Sequence, residues 1–182
     1  MQIITGKYRA RKLVAVDSSE TRPTLARVKE SVFNLIADKI ESSVVLDLFA
    51  GSGSYGAECI SRGAESVFFV DQADKAIKTI KKNTERMNDK FEILKATFSE
   101  ALLGFERKGI KFDLVFLDPP YDSDYAMKSL EILAKKKLLN DGATIVVEHK
   151  LANDLQNLLE CYIIKKSRKY GIAFVDVLEF KE

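Results

Sequence analysis

Residues 44–56 read VVLDLFAGSGSYG: an apolar run, a glycine-rich turn and the start of a helical pattern. A short and nearly continuous apolar run is typical of a strand that is buried on both faces of a parallel sheet. Gly51, Gly53 and Gly56 give the spacing G-x-G-x-x-G, which after a strand predicts a nucleoside-cofactor site at the start of a helix. The stretch therefore predicts the first strand–turn–helix unit of an α/β domain.

The same alternation continues along the chain. Asp74 is placed to cap a helix, and Asn140-Asp141-Gly142 is expected to end another. The pattern predicts a doubly wound α/β sheet. Because no long helix separates the last two strands, we expect an antiparallel pair at one edge. Further strands are predicted at 66–71, 91–94, 112–117, 143–148, 162–166 and 173–180, and helices at 55–62, 74–87, 98–108, 125–139 and 151–159.

The amino-terminal 40 residues differ in character from the rest. Residues 3–16 alternate loosely around Gly6, which suggests a small hairpin, and residues 25–36 have the spacing of an amphipathic helix that Thr24 is placed to cap. Basic side chains crowd this segment, and a second basic group lies at residues 165–169. We interpret both groups as phosphate-facing. The alternative role of the helix is to cover one face of the sheet, and the two roles are compatible. The chain thus divides into a basic extension, residues 1–40, and a second unit, residues 41–182.

Composition limits the classes of protein that are compatible with the chain. It has 182 residues, a net charge of +2 and no apolar run near the roughly 20 residues of a membrane span. The amino terminus shows no pattern of a secretory signal. Cys59, Cys161 and His149 are too few for a zinc site. We expect a cytoplasmic protein that uses no membrane and no metal.

Asp47 and Asp71 bear on which cofactor the glycine-rich turn would serve. Asp71 follows Gly51 by 20 residues, and a carboxylate there would bind the ribose hydroxyls of NAD or of S-adenosylmethionine alike. Asp47 lies inside the first strand, where it would repel a pyrophosphate but can bind a methionine amino group. This position favours S-adenosylmethionine over NAD.

The run FDLVFLDPPY, residues 112–121, carries the chemistry. The amine of a nucleobase is a poor nucleophile, because its lone pair is conjugated into the ring. Hydrogen bonds accepted by Asp118 and the Pro119 carbonyl would localise that lone pair, and the two prolines stiffen the turn. Tyr121 is placed to stack on the base. These residues predict methylation of an exocyclic amine.

Several motifs together resemble the RsmD family, bacterial methyltransferases that modify N2 of one guanine in small-subunit (16S) rRNA. The resemblance covers most of the chain. Its most specific part is the block that begins with Arg22-Pro23-Thr24, because the other motifs occur in many amino-methyltransferases. The motifs are Arg22-Pro23-Thr24 with residues 27–34 (RVKESVFN), residues 46–53 (LDLFAGSG) and Asp118-Pro119-Pro120-Tyr121.

The resemblance implies a class I methyltransferase fold, Rossmann-like, with sheet order 3-2-1-4-5-7-6 and strand 7 antiparallel, preceded by a hairpin-plus-helix extension. It implies S-adenosylmethionine as cofactor and 16S rRNA, or the assembling small subunit, as partner. The sequence carries no signal for an oligomer, so we expect a monomer by default. The catalytic residues would be Asp118, Pro119 and Tyr121. The cofactor would be held by Asp47, Phe49, Gly51, Gly53, Asp71, Thr97, Phe98 and Asp118. Thr97 stands where members of the family often have Asp or Asn. We expect the RNA to be bound by Arg9, Arg11, Arg22, Thr24 and Arg27.

Two other functions stay open at this point. DNA adenine-N6 and cytosine-N4 methyltransferases share Asp-Pro-Pro-Tyr, but they usually carry a recognition domain for which this chain has no room. A catalytically silent nucleotide- or RNA-binding module is a second alternative, against which the three aspartates argue. We expect Tyr55 and Cys59 to be packing residues, and His149 to be a loop or edge residue.

Overall fold

The computed structural model describes residues 1–16, 23–120, 123–149, 155, 160–171 and 173–182, with the backbone alone for residues 23–26. The chain alternates strands and helices as the sequence predicts. The helices are α1 (Pro23–Leu35), α2 (Ser54–Ser61), α3 (Asp74–Thr84), α4 (Phe98–Lys108) and α5 (Tyr125–Lys135), with a short 3-10 helix at Ala37–Lys39. The strands are β1 (Val44–Leu48), β2 (Ser66–Asp71), β3 (Phe91–Lys95), β4 (Phe112–Leu117), β5 (Leu139–His149), β6 (Tyr162–Tyr170) and β7 (Ala173–Phe180).

The described strands form one seven-stranded sheet of order β3-β2-β1-β4-β5-β7-β6. The first five strands pair in parallel, whereas β7 runs antiparallel to both β5 and β6. The predicted sheet order and the antiparallel seventh strand are therefore confirmed. Because the order reverses between β1 and β4, the carboxyl ends of these two strands border a crevice, where α/β sheets bind their ligands.

Two hydrophobic clusters cover the two faces of the sheet. One joins α1, α2, α3 and the amino-terminal segment, through residues such as Ile3 and Phe33. The other joins α4 and α5, through residues such as Leu102 and Leu130. Cys59 is fully buried in the first cluster, as expected of a core residue. The alternation of side chains along each strand decides which face a polar residue reaches.

The boundary between α5 and β5 differs from the prediction. The helix ends at Lys135 rather than at residue 139, and Lys137 adopts a positive φ of 52°. Leu139 then pairs with Phe112, so Asn140-Asp141-Gly142 lies inside β5. The ladder resumes with Leu114 and Thr144, and Gly142 has a φ of 76°, so the three residues keep an irregular, bulged path within the longer strand. Local sequence signals missed this because the pairing is long-range.

Three smaller expectations need correction or lie outside the described residues. Ala73, not Asp74, is the N-cap of α3, and Asp74 occupies the first turn, where its charge suits the helix dipole. His149 is not a loop or exposed edge residue. It is buried in β5, with its Nε2 2.8 Å from Asp176 Oδ2 on β7. The predicted helix 151–159 lies outside the described residues, apart from residue 155.

The amino-terminal segment, residues 1–16, folds back on itself and docks onto α2. An antiparallel bridge joins Gln2 to Lys12, as the predicted hairpin requires. The Glu58 carboxylate accepts hydrogen bonds from the backbone N–H groups of Ile4 (2.8 Å) and Thr5 (3.0 Å). This carboxylate has no exposed surface, and its other partners are cationic: Lys29 Nζ at 3.2 Å and Arg62 Nε at 2.9 Å.

A second set of contacts holds the same segment at Thr5, Tyr8 and Val14. Ser61 Oγ accepts from the Tyr8 N–H and donates to the Thr5 carbonyl. Asn83 of α3 pairs through its side-chain amide with both backbone groups of Val14, and its Nδ2 also donates to the Ser52 carbonyl in the turn after β1. The segment is therefore connected directly to the glycine-rich turn.

We expect Gly6→Ala to destabilise the protein by roughly 2 kcal/mol or more. Gly6 has a φ of +89°, and a Cβ added there would lie 1.8 Å from the Ser61 carbonyl oxygen, so the segment has to lift off α2. Chemical denaturation of both proteins measures the difference in the free energy of unfolding.

Gly104→Ala is the matched control, because Gly104 lies in α4 and an added Cβ meets nothing within 4 Å. Alanine there favours the helix and should stabilise by up to about 1 kcal/mol. Equal stability of Gly6→Ala and wild type would contradict the docking described above.

Candidate active site

A cavity of about 890 Å³ opens at the carboxyl ends of β1, β4 and β5. Its walls are the amino-terminal segment, α1, the turn between β1 and α2, and the residues that end β4 and β5. Carboxylates and cations both line it. These are Asp47, Asp118 and Glu148 on the sheet side, and Arg9, Lys12 and Lys29 on the side of the amino-terminal segment and α1.

The turn after β1 is shaped by its glycines. Gly53 is the N-cap of α2 and adopts a φ of 72°, a left-handed conformation that favours glycine. A Cβ at Gly56 would lie 2.3 Å from the Phe69 ring, so only glycine lets α2 pack this closely on β2. The motif thus brings the first turn of α2 against the sheet, where its backbone N–H groups face the end of β1.

Asp47 is almost fully buried, with 3% of its surface exposed, and its Oδ2 accepts a hydrogen bond of 2.9 Å from the Gly56 N–H. Burial raises the pKa of Asp47 to about 7, and the Asp71 carboxylate adds to this effect. The Gly56 hydrogen bond and the Lys29 ammonium oppose it. A cationic ligand would relieve this cost, so the position suits an ammonium group.

Asp71 ends β2 and bridges to the neighbouring turn. Its Oδ2 accepts from the Gly51 N–H at 2.9 Å, and its Oδ1 accepts from the Ala73 N–H at 2.8 Å. Each carboxylate oxygen has a further lone pair, so both can still accept from ligand hydroxyls. The predicted ribose-binding residue therefore also fixes the turn that carries Gly51.

An aromatic cluster lies beside this turn. Phe49, which has a positive φ of 68°, stacks on Tyr125 with a centroid distance of 6.2 Å and an angle of 7° between the rings. Phe98 lies 5.6 Å from Phe49 and 4.9 Å from Tyr125. Phe49 also lines the cavity. The sequence predicted Phe49 and Phe98 as cofactor residues, whereas Tyr125, which packs against both rings, was not singled out, because its place in this cluster depends on tertiary packing.

Thr97 caps α4. Its hydroxyl donates to Glu100 Oε2 at 2.7 Å and accepts from the Glu100 N–H at 3.3 Å, forming a capping box. The predicted contact between Thr97 and the cofactor has to compete with these bonds. Thr97 therefore has an observed structural role, and its cofactor contact stays a prediction.

The end of β4 carries the Asp-Pro-Pro motif. Asp118 is exposed and lines the cavity, whereas Pro119 is buried. The Pro120 carbonyl accepts hydrogen bonds from the Ser123 N–H (3.1 Å) and hydroxyl (2.6 Å), which fix the turn after the motif, and the role of the Pro119 carbonyl stays a prediction. Tyr121, the third predicted catalytic residue, lies outside the described residues.

Glu148 was not predicted as a site residue. It is the penultimate residue of β5, is 6% exposed and lines the same cavity as Asp118. In the sequence it looks like a polar end to an apolar strand. Only the parallel pairing of β4 with β5 brings it beside Asp118.

The predicted RNA-binding residues are dispersed along the extension. Arg9 lines the cavity, the Arg11 guanidinium lies 5.8 Å from the centre of the Tyr8 ring, and Arg27 is exposed on α1. Arg22 and the Thr24 side chain lie outside the described residues. Lys29, which the sequence placed among the basic residues, is buried against Glu58, and this burial lowers the pKa of Lys29.

A model of the family described as Conserved hypothetical protein 95 matches residues 1–179. The chain belongs to this family, the RsmD family. Among its relatives is ribosomal RNA small subunit methyltransferase D of Escherichia coli (strain K12), 34% identical, with 94% of this chain and 85% of the relative covered. The Haemophilus influenzae protein of the same name is 36% identical over 81% of this chain and 78% of that one.

Solved structures agree with the RsmD family assignment. The Escherichia coli protein yhhF superposes with a TM-score of 0.85 at 26% identity, covering 100% of this chain and 98% of that chain. Ribosomal protein L11 methylase from Lactobacillus delbrueckii shares the fold alone, with a TM-score of 0.72 at 13% identity, over 98% of this chain and 90% of that one. The predicted class I methyltransferase fold is therefore confirmed.

Among the residues that the structure describes, no group of three or more His, Cys, Asp or Glu side chains is placed to hold a metal ion. In the same residues, no helix is long and apolar enough to cross a membrane.

We predict that Asp47→Asn removes a pH-dependent loss of stability from the ligand-free protein. Because the folded-state pKa is raised from 3.8 to about 7, the unfolded chain releases this proton first, and stability falls between pH 4 and pH 7. The asparagine variant should be more stable than wild type by on the order of 3–4 kcal/mol above pH 7, and by little at pH 4. Thermal unfolding at several pH values measures this.

Asp38→Asn serves as the control, because the Asp38 side chain is 76% exposed. It should leave the pH profile of wild type unchanged. Parallel profiles for Asp47→Asn and wild type would mean that Asp47 does not carry the buried charge.

Proposed function

We propose that this protein transfers the methyl group of S-adenosylmethionine to the exocyclic N2 amine of a guanine in 16S rRNA. The observation that carries the proposal is the meeting of Asp118 and Asp47 in one cavity at the carboxyl ends of β4 and β1. Asp118 belongs to an amine-binding motif, and the buried Asp47 carboxylate suits the ammonium group of the cofactor. The RsmD relatives, which are named small subunit rRNA methyltransferases, support rRNA as the substrate.

The residues around the turn fit this cofactor. The buried Asp47 carboxylate would hold its ammonium group, and Asp71 would accept from its ribose hydroxyls. The half-buried rings of Phe49 and Phe98 would pack along its adenine, with Gly51 and Gly53 allowing close approach of the backbone. When bound, the cofactor supplies an electrophilic methyl group on a sulfonium, which is already a good leaving group.

Asp118 and Pro119 would act on the nucleophile. Each accepts one N–H of the guanine amine, which turns the nitrogen lone pair out of the ring plane and towards the methyl group. Asp118 need not be a strong base, because the amine becomes acidic once methylated. Tyr121, by its place after the two prolines, would stack on the base. Catalysis would come mainly from positioning, since the reaction is a direct displacement.

The basic extension would bind the RNA around the target. Arg9 at the cavity wall, and Arg11, whose guanidinium lies against the Tyr8 ring, would contact phosphates near a base that has entered the cavity. Arg22, Thr24 and Arg27 would extend this surface along the start of α1. Because a paired guanine is out of reach, the target has to lie in a loop or be flipped out.

The test is transfer of labelled methyl groups to free small-subunit rRNA, assembled small subunits and duplex DNA, followed by mass spectrometry of the nucleosides. We expect N2-methylguanosine in rRNA or in subunits. Asp118→Ala should lower turnover at least about 100-fold while cofactor affinity changes little, because only the amine loses its acceptor.

Asp124→Ala is the control, an exposed carboxylate in an ion pair with Lys128, and it should behave as wild type. Label in DNA alone would favour the DNA methyltransferase alternative. The absence of label from all three substrates would favour the silent binding module. Wild-type turnover of Asp118→Ala would exclude the amine-holding role.

We also predict that replacing Arg9 and Arg11 together with glutamine weakens RNA binding and flattens its salt dependence. If each arginine neutralises one phosphate, the slope of log K against log salt falls in magnitude by about 1.4 to 1.8. Filter binding at several salt concentrations measures the slope. Arg107→Gln, on α4 at the opposite face of the sheet, should leave it unchanged, and an unchanged slope in the double variant would exclude phosphate contacts.

A further inference from the structure

The position of Glu148 follows from strand register. Phe116 pairs with Val146 and Leu117 with Val147 in the parallel β4–β5 ladder. Asp118 and Glu148 are the next residues on their chains, so their Cα atoms lie near the roughly 4.8 Å spacing of neighbouring strands. Both residues line the cavity, which shows that their side chains share one face of the sheet.

The same register relates both residues to the cofactor side of the cavity. Asp47 pairs with Phe116, which in turn pairs with Val146. Glu148 and Asp118 therefore lie two residues, about 6.6 Å, beyond the row of Asp47 towards the carboxyl edge of the sheet. The methyl group and the target amine would meet between these two rows, with Glu148 on the side of the base.

Asp118 and Glu148 differ in their access to solvent. Asp118 is exposed, whereas Glu148 is 6% exposed, between β4 and β7. A carboxylate only accepts hydrogen bonds, and its two oxygens have about four acceptor sites, so one in a cavity wall can accept from a ligand in addition to its protein contacts and favours ligands that present donors. Two such acceptors side by side suit a ligand edge that carries two adjacent donors.

Guanine has that edge. Its N1–H and its N2 amine are neighbouring donors, whereas adenine and 2-aminopurine have an unprotonated N1 that would face a carboxylate with its lone pair. We propose that Glu148 accepts the N1–H of the target guanine while Asp118 holds its amine, which makes Glu148 the residue that determines the choice of base. This inference rests on the proposed function, and it assigns a substrate-reading role to a residue outside the Asp-Pro-Pro-Tyr motif.

The experiment uses small-subunit rRNA, joined by splinted ligation, with either guanine or 2-aminopurine at the position that the methylation assay has mapped. Both bases have the N2 amine, but only guanine has N1–H. We expect wild type to prefer guanine by about 100-fold or more in kcat/KM. In Glu148→Gln the side-chain amide can donate to an unprotonated N1, so this preference should fall at least tenfold, with a gain on 2-aminopurine.

Two controls separate base reading from a structural effect. Glu148→Asp keeps an acceptor-only group, so it should retain the preference even if its rate falls. Glu85→Gln removes an exposed carboxylate at the end of α3, outside the cavity lining, and it should match wild type. Cofactor affinity of each variant, measured by calorimetry, reports whether the fold is intact.

Methylation of guanine with an unchanged preference in Glu148→Gln would overturn the role of Glu148 and leave the proposed function standing. A preference lost equally in Glu148→Asp and Glu148→Gln would show a structural effect and would also overturn it. If wild type methylates no guanine, the proposed function fails and this inference fails with it.

Discussion

The hydrogen bond from the Gly56 N–H to the Asp47 carboxylate is the interaction on which the site depends. It joins the first strand to the first turn of α2 across the glycine-rich turn, and it does so inside the core. A carboxylate in that position costs stability in the ligand-free protein, as its raised pKa shows. The fold tolerates this cost because the same charge is what a cationic ligand requires, so stability and binding are opposed at Asp47.

A second buried carboxylate has the opposite character. Glu58 is fully buried, yet it accepts from two backbone amides and pairs with Lys29 and Arg62. Its charge is compensated within the protein, so it serves structure rather than a ligand. Its bonds to Ile4 and Thr5 hold the amino-terminal segment as one wall of the cavity. The basic extension is thus part of the folded core, and its cations are fixed relative to Asp47 and Asp118.

The bounds of a strand or helix could be predicted from the sequence where local or periodic residue patterns determine them. The bounds of β2, α4, β4 and β7 were predicted correctly, because apolar runs and glycines delimit them. The prediction failed where tertiary pairing overrides local preference. Asn140-Asp141-Gly142 looks like a turn but lies in β5, because Leu139 pairs with Phe112.

The same distinction applies to the candidate site. Asp47, Asp71 and Asp118 stand in recognisable motifs, whereas Glu148 lies 30 residues after Asp118 and becomes its neighbour only through the β4–β5 register. Tyr125 joins Phe49 and Phe98 through packing that no motif records. Thr97 was chosen for its place in a family pattern, and the structure shows that it also caps α4, a role that the sequence prediction did not include.

Under the proposed function, a nearly neutral protein has to bind a polyanion and still hold a base beside carboxylates, and the arrangement of charge would allow both. The net charge is +2, but three acidic side chains of the cavity, Asp47, Asp118 and Glu148, lie on the sheet, and its basic side chains lie on the amino-terminal segment and on α1, which also carries the acidic Glu30. A nucleotide has the same division, with donors on the guanine edge and negative charge on its phosphate. Inserted with its base towards Asp118 and Glu148, it would leave its phosphate beside Arg9 and Lys12. A base inserted without its backbone would lose that second attraction, so the charge pattern favours a nucleotide within an RNA chain over a free base.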